Sequence, residues 1–445
     1  MSAPIAYGID YGTTNSSIAV AYSHGVEVLE LDSSAPLPSA LPSISYLHRD
    51  GLLLAGAEAV EQFAITGDQR TKCHRCSLVN RVRVGRGKWE SQTYCRQYAV
   101  GSGCLDSRLM GELKNELSNE RFRKTHSWAQ DYEMEDLCAI IIADLKRRAD
   151  QHTGRDVNRA VVGYPVAFFG TAGERFDHLQ EVAEGRLREA VYRAGFSEVE
   201  LFPEPAAAAL DEVLDDGYAV AVDFGGGTFD VAVIKITEGE GEVVSMEGAA
   251  VGGAIFDQLI FERKVAPLLG LDKSYVPAWF KKGLASWGKF RHLLTNPQTF
   301  IVLHELQRKN RKMGDLVNSI VREGQAFRFY KAIENAKIAL SRVERSSIEF
   351  HPPQGDLSIP LRRSEVGEMV SPYLRTVESQ IIRALQGAGI TVGQVSIVLR
   401  TGGSSHLVAF VGMLNRLFGA EKIREREAFT TVAYGLGIVA QETWI

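Results

Sequence analysis

Long apolar runs, prolines and cysteines are scarce in this chain, and neither sign of charge dominates it. The longest apolar candidate, Leu137 to Leu145, is broken by Asp144 and followed by Lys146, Arg147 and Arg148. It falls short of the roughly 18 residues that a membrane helix needs. The first twenty residues hold no Lys or Arg, so no secretory leader is expected and the cytoplasm is the expected location. Fifty basic against 55 acidic residues leave a net charge of −5, which gives no general pull toward nucleic acid or anionic membrane. Only 14 prolines occur in 445 residues, with no low-complexity stretch, so the lobes are expected to be interwoven rather than tethered. Five cysteines, an odd number, argue against a disulfide framework. Cys73 and Cys76 have the gap of a zinc knuckle, but eight residues separate Cys95 from Cys104, and Cys138 stands alone. Free thiols are therefore favoured over a zinc site or a redox pair.

What the chain does have is an approximate repeat at long separation. Ile5 to Tyr22 runs strand, Asp, Gly/Thr turn, strand, and Ala219 to Ile236 follows the same plan. Asp10 and Asp223 are each followed two positions later by a glycine, Gly12 and Gly225. Such turns let backbone N–H groups approach a ligand with no Cβ in the way. Two of them suggest two lobes facing across a phosphate. Between and after them the pattern alternates strand and helix. Ala160–Tyr164, Val199–Phe202 and Val395–Leu399 read as strands. Residues 174–194, 206–214, 329–342 and the stretch to Phe418 read as helices. Residues 36–132, with the cysteines and a basic stretch from Arg70 to Lys88, read as a peripheral insertion.

Five segments carry candidate chemistry. The turn after Asp10 offers Gly12, Thr13, Thr14 and Asn15 to phosphate oxygens, while Asp10 organises a hydrated Mg²⁺; the plainer alternative is a self-satisfied hairpin. Asp223-Phe-Gly225-Gly226-Gly227-Thr228 is sharper, because three glycines cost entropy that a mere hairpin does not require. Asp230 adds a second carboxylate there. Glu204, set between Pro203 and Pro205 at a strand end, can position a water, or can simply complement a helix N-terminus. Thr401-Gly402-Gly403-Ser404-Ser405 suits a flat ring or ribose against backbone, or is an ordinary strand–helix turn. Glu334, Lys337 and Ser341 share a helix face that reaches a nucleotide or stays solvated.

The segments GIDYGTTNSS, LFPEPAAAAL, DFGGGTFDVAVI, GGAIFD, ENAKIALS and VLRTGGSS stand in the order found in the nucleotide-binding domain of DnaK-type heat-shock chaperones. The chain resembles that domain over nearly its whole length, most of all the short, YegD-like homologues, and least over 65–130 and 265–325. The resemblance implies the actin-like ATPase fold, an α/β architecture of two lobes, each on a ribonuclease-H-like sheet, closing on Mg-ATP or ADP. It divides the chain into lobe I (1–216 with 428–445, peripheral part 36–132) and lobe II (217–427, peripheral part 254–371). By position it assigns Asp10 and Asp223 to the Mg²⁺ shell and Glu204 to the water. Thr13, Thr14 and Thr228 fall to the phosphates. Gly225, Gly226, Gly227 and Gly253 supply backbone donors, and Glu334, Lys337, Ser341, Gly402, Gly403 and Ser404 line the adenosine site.

Three departures qualify this. Val60 stands where the family carries a catalytic lysine, and Lys114 is the candidate substitute. His406 stands where an arginine is usual, and Ala428 to Thr431 lack a customary acid. Only eleven residues follow Tyr434, so no peptide-binding domain is expected. The expected function is a slow Mg-dependent ATPase switch read by a protein partner. Alternatives are a nucleotide-holding module without turnover, a small-molecule kinase of the same superfold and, more distantly, an actin-like filament former.

Overall fold

The two halves of the repeat fold into one strand plan. The structure, a computed structural model, describes residues 3–445 apart from 34, 36, 68, 72–76, 85–87, 95–103, 123, 128–129, 170, 172–174, 211–215, 239, 297 and 428–429. In the first sheet β1 (Pro4–Tyr11), β2 (Asn15–Tyr22) and β3 (Gly25–Val28) are antiparallel neighbours. β4 (Arg159–Tyr164) and β5 (Glu198–Pro203) add in parallel on the other side of β1. The order is β5-β4-β1-β2-β3. The second sheet has β6 (Gly217–Phe224), β7 (Phe229–Thr237), β8 (Glu240–Ala249), β9 (Val395–Thr401) and β10 (Ile423–Glu425). Its order, β10-β9-β6-β7-β8, repeats the first with the same strand senses. Asp10 thus lies opposite Ser17 and Asp223 opposite Asp230, at matching ends of the two central strands.

Parallel neighbours cannot be joined by a tight turn, so helices carry the crossovers. In chain order the helices are α1 (Gly56–Thr66), α2 (Met134–Thr153), α3 (Phe176–Arg193), α4 (Glu204–Ala207), α5 (Gly253–Ile260), α6 (Ala278–Leu284) and α7 (Trp287–Thr295). They continue with α8 (Thr299–Lys309), α9 (Arg311–Arg322), α10 (Ala326–Ala339), α11 (Arg363–Gly387), α12 (Val408–Phe418) and α13 (Thr431–Trp444). Alternation along β1 decides its two faces. Tyr7, Ile9 and Tyr11 bury against Leu137 and Ile141 of α2 and Leu187 of α3. Ala6 packs with Val432, Leu436 and Ala440 of α13. Gly8, on that small-residue face, lets the α13 backbone approach: a Cβ there would sit 2.2 Å from the Gly437 nitrogen. In the second sheet Val220, Val222 and Phe224 join Phe256, Val377, Ile381 and Phe410 in the largest core cluster. That cluster runs without a break into α6–α10, through Leu284, Leu303, Leu316 and Phe329.

Most of the expected elements lie within a few residues of their observed bounds. The alanine-rich run differs: α4 starts at Glu204 itself and gives way to a turn at Ala208, which leaves the carboxylate on the first helical residue. The Thr401–Ser405 turn leads first into a 3₁₀ turn, Gly403–His406, with Gly402 at φ 84°, before α12 begins. α10 ends at Ala339, so Ser341 follows the helix rather than sitting on it. Cys73, Cys76, Cys95, Ala428 and Phe429 lie outside the described residues. Cys138 is a buried free thiol on α2.

Candidate functional site

The two glycine turns face each other and nearly touch. A Cβ on Gly226 would lie 2.2 Å from Thr14 Oγ1, and one on Gly227 would lie 2.2 Å from Asn115 Oδ1. Close approach is thus what this triple glycine serves. Behind it, the Gly225 N–H donates to the Thr228 carbonyl (3.0 Å), and the Gly253 N–H to the Gly225 carbonyl (3.2 Å). The Ser404 hydroxyl donates to that same carbonyl at 2.7 Å. Gly225, Gly253 and Ser404 therefore bind three loops into one platform. No backbone hydrogen bond engages the N–H groups of Gly226 and Gly227 among the described residues, so these are the donors free to face an anion.

Beside the platform sits a cluster of buried charge. Lys114, 6% exposed, makes an ion pair with Glu204, 4% exposed. Lys114 belongs to a 3₁₀ turn (Leu113–Glu116), and its neighbour Asn115 accepts a hydrogen bond from Thr13 Oγ1 at 3.2 Å. Burial alone would depress the lysine's pKa, but the Glu204, Asp10 and Asp223 carboxylates outweigh it and hold the ammonium above its ordinary value. Burial, reinforced by Glu204, raises Asp10 well above the carboxylate range. Burial and the Glu204 charge push Asp223 to about 8 and Asp230 to about 7. Asp230 Oδ1 accepts the Ala167 N–H at 3.3 Å, which joins the strand end of β7 to the loop after β4. Its Oδ2 is buried without a partner among the described residues. Four carboxylates around one ammonium, with an orphaned oxygen, form a set short of positive charge.

That imbalance has a measurable consequence. Each raised carboxyl is ordinary in the unfolded chain, so the folded protein holds extra protons from about pH 4 up to its folded value. The associated stability is full below about pH 4 and is lost as pH rises through the folded values, about 7 for Asp230 and about 8 for Asp223. Ligand-free protein should therefore melt at a lower temperature at pH 8.5 than at pH 6. Asp223→Asn should flatten that slope, as thermal unfolding at constant ionic strength would reveal.

The residues that the family resemblance assigns to the site, with Gly12, Asn15 and Lys114, line one cavity of about 580 Å³, whereas Asp230 is buried outside its lining. From the first sheet's side come Asp10, Gly12, Thr13, Thr14, Asn15, Lys114 and Glu204; from the second come Asp223, Gly225, Gly226, Gly227, Thr228 and Gly253. Glu334, Lys337 and Ser341 reach it from α10 and its C-terminal end, and Gly402, Gly403 and Ser404 from the loop after β9. Lys337 is anchored by Asp257 (2.8 Å) and the Gly253 carbonyl (3.2 Å), so it ties α10 to α5. Glu334 pairs with Lys331 at 2.7 Å. Val60 also lines the cavity, from α1.

Several contributors carry no signal in the sequence. Glu112, Trp287 and Tyr330 reach the cavity, and Asn115 holds Thr13 at its edge, from segments without glycine turns or periodic carboxylates. Arg400 supports the Gly402–His406 loop: its guanidinium donates to the Ser405 carbonyl at 3.0 Å and pairs with Glu425. His406 turns toward Glu425, with Nδ1 at 3.3 Å, and burial lowers its pKa, so it is neutral near pH 7.

Comparison with known proteins fits this geometry. The family model described as "Hsp70 protein" matches residues 6–268 and 302–441. A chaperone protein HscA homolog of Bordetella petrii is 27% identical over 446 aligned residues, covering 98% of this chain and 58% of that relative. HscA homologs of Burkholderia pseudomallei and Burkholderia mallei are 26% identical, with the same coverage. The chain thus spans 58% of the length of the curated relatives it matches. With the family match running through both sheets and the glycine loops of the cavity, the chain belongs to the Hsp70 family.

Proposed function

We propose that this chain is a Mg-dependent ATP-binding protein of chaperone type that hydrolyses ATP slowly and acts as a nucleotide-driven switch. The observation that carries this reading is the Lys114–Glu204 pair at Asp10 and Asp223, beside the paired glycine loops. The N–H groups of Gly226 and Gly227, with the hydroxyls of Thr13, Thr14 and Thr228, would hold the phosphates. A hydrated Mg²⁺ fits between Asp10 and Asp223 and would neutralise phosphate charge. Glu204 orients the attacking water while Lys114 offsets charge building on the transferred group, in the place left by Val60. Glu334, Lys337, Ser341 and the Gly402–Ser404 turn would take the adenosine. In this reading 1–216 with 428–445 and 217–427 are lobes of an actin-like ATPase fold, each on a ribonuclease-H-like sheet. Their closure would alter an outer surface for a protein partner in the cytoplasm. Among the described residues no helix is long and apolar enough to cross a membrane.

The test is single-turnover hydrolysis of labelled ATP with Mg²⁺, run on the parent and on Glu204→Gln. Slow phosphate release by the parent, reduced about 100-fold or more in the variant with ATP still bound, is the expected result. ATP bound without release by either would reduce the chain to a nucleotide-holding module, and no binding by either would overturn the site.

A further inference from the structure

The 3₁₀ turn Leu113–Glu116 places two successive side chains beside the glycine loops. Lys114 goes to Glu204, and Asn115 goes to Thr13, whose Oγ1 donates to Asn115 Oδ1 at 3.2 Å. The same amide oxygen lies 2.2 Å from where a Cβ on Gly227 would stand, and Thr13 Oγ1 lies 2.7 Å from that point. Asn115 thus meets the first loop through Thr13 and the second at Gly227.

The turn is fixed from behind. Leu113 and Leu117 are buried in the core of the first sheet. The Ser118 hydroxyl donates to the Phe169 carbonyl, and the Arg186 guanidinium of α3 donates to the carbonyls of Leu117 (3.0 Å) and Asn119 (3.1 Å). The Asn115 N–H donates to the Glu112 carbonyl at 3.1 Å. The backbone is therefore held in place, and the freedom left to Asn115 is rotation of its amide.

The Thr13 hydroxyl has one proton, and in the structure that proton goes to Asn115. An ionised phosphate only accepts, so it needs the same proton. Thr13 cannot serve both. An amide removes the conflict because it carries a donor as well as an acceptor. Turned over, Asn115 offers Nδ2 to the Thr13 oxygen, and the threonine proton is free for the phosphate. Among the described residues no hydrogen bond engages Nδ2, so turning it breaks nothing else. A hydroxyl that receives a hydrogen bond also donates more strongly, since bonds in series polarise one another.

We propose that Asn115 is the positioning residue of the phosphate loops: its amide accepts from the Thr13 hydroxyl when no phosphate is bound and, turned over, donates to it so that the threonine proton reaches the phosphate. The inference rests on the nucleotide reading of the cavity and adds the group that sets the direction of hydrogen bonding there.

The test titrates a fluorescent ATP analogue with Mg²⁺ into the full chain and into Asn115→Asp, Asn115→Ala and Thr13→Val, singly and combined. Aspartate keeps the acceptor but has no donor, so it traps the threonine proton and should weaken binding about 10- to 100-fold. Alanine leaves that proton free to turn and should weaken binding only about three- to tenfold. With Thr13→Val already present, Asn115→Ala should add nothing, because the hydroxyl it acts through is gone. Effects that simply multiply would mark a structural residue and overturn the proposal. Repulsion between aspartate and phosphate would persist without the hydroxyl, so Asn115→Asp should cost clearly less in Thr13→Val than in the parent; an equal cost also overturns it. Thermal unfolding checks that each variant is folded, and should Asn115→Ala fail to fold, Asn115→Asp, close to asparagine in size, decides with Thr13→Val. A parent that binds no analogue sinks the nucleotide reading and this inference with it, whereas a binding parent with unaffected variants sinks the inference alone.

Discussion

Lys114→Met should slow single-turnover hydrolysis by roughly 100- to 1000-fold, the cost of removing one charge-stabilising group aimed at the reacting centre. Among the described residues Lys114 is the one cation that faces Glu204, Asp10 and Asp223 together, so none of these neighbours inherits its role. The same change strips the partner from a carboxylate that is 4% exposed, and stability should fall with activity. Breaking a buried pair from one side costs about 3–5 kcal/mol. The double variant Lys114→Met with Glu204→Gln removes both charges and should recover much of the stability but none of the activity. Recovered stability in the double variant would trace the loss in Lys114→Met to the unpaired buried carboxylate. A further arm uses Val60, which lines the same cavity. Lys114→Met with Val60→Lys returns an ammonium to the position that the family resemblance assigns to it, and should restore part of the rate. Lys114→Arg should not, because a planar guanidinium does not fit a site shaped around a compact ammonium. Quenched-flow measurement of phosphate release, paired with thermal unfolding of each variant, decides these arms. Full hydrolysis by Lys114→Met would remove the lysine from the mechanism.

A comparably large stability effect is expected from Gly8→Val and Gly435→Val, neither of which lies at the cavity. A Cβ on Gly8 would stand 2.2 Å from the Gly437 nitrogen, and one on Gly435 would stand 1.9 Å from the Ala207 carbonyl oxygen. Both collisions are with backbone, which cannot rotate away as a side chain can. α13 lies against β1 and α4 with its helical backbone almost in contact, and small residues on all three elements permit it. Forcing a side chain into such a contact costs about 3 kcal/mol or more. At roughly 2–4 °C per kcal/mol for a large domain, the melting temperature should drop by roughly 6–12 °C, or the variants should fail to accumulate in soluble form. Because α4 begins at Glu204, Gly435→Val should also disturb ATP turnover in whatever protein remains folded, whereas Gly185→Ala, in open space on α3, should change neither. Differential scanning fluorimetry of the three purified variants is the check.

Much of this was legible in the residues. The repeat around Asp10 and Asp223 was legible because a strand, a glycine turn and a returning strand are local features, and the structure places each copy at the centre of a sheet. Pro203 marks the end of β5 for an equally local reason, since proline acts on its own backbone. The length of α4 was less legible. Its alanines favour helix, yet it stops at Ala207 and a turn follows over Ala208 to Leu210, while 211–214 of the expected helix lie outside the described residues. Lys114 could be singled out only as a substitute for a residue missing at Val60. Its own neighbourhood, a short 3₁₀ turn, carries no pattern that points to Glu204, ninety positions away.

By itself, then, the sequence determined the strand plan, the two glycine loops and the types of group around a phosphate-sized space, all of which follow from backbone preference and local spacing. Tertiary structure alone decided which groups meet. It set one ammonium among four carboxylates, where low solvent access raises the pKa values of three of them. It spent the N–H groups of Gly225 and Gly253 on holding loops together and left those of Gly226 and Gly227 facing the cavity. It also carried Trp287 across to Gly111, a contact between residues 176 positions apart that no periodicity encodes. Charge, burial and steric contact act through space, and only the closed fold gives residues so distant in sequence a distance at which to act.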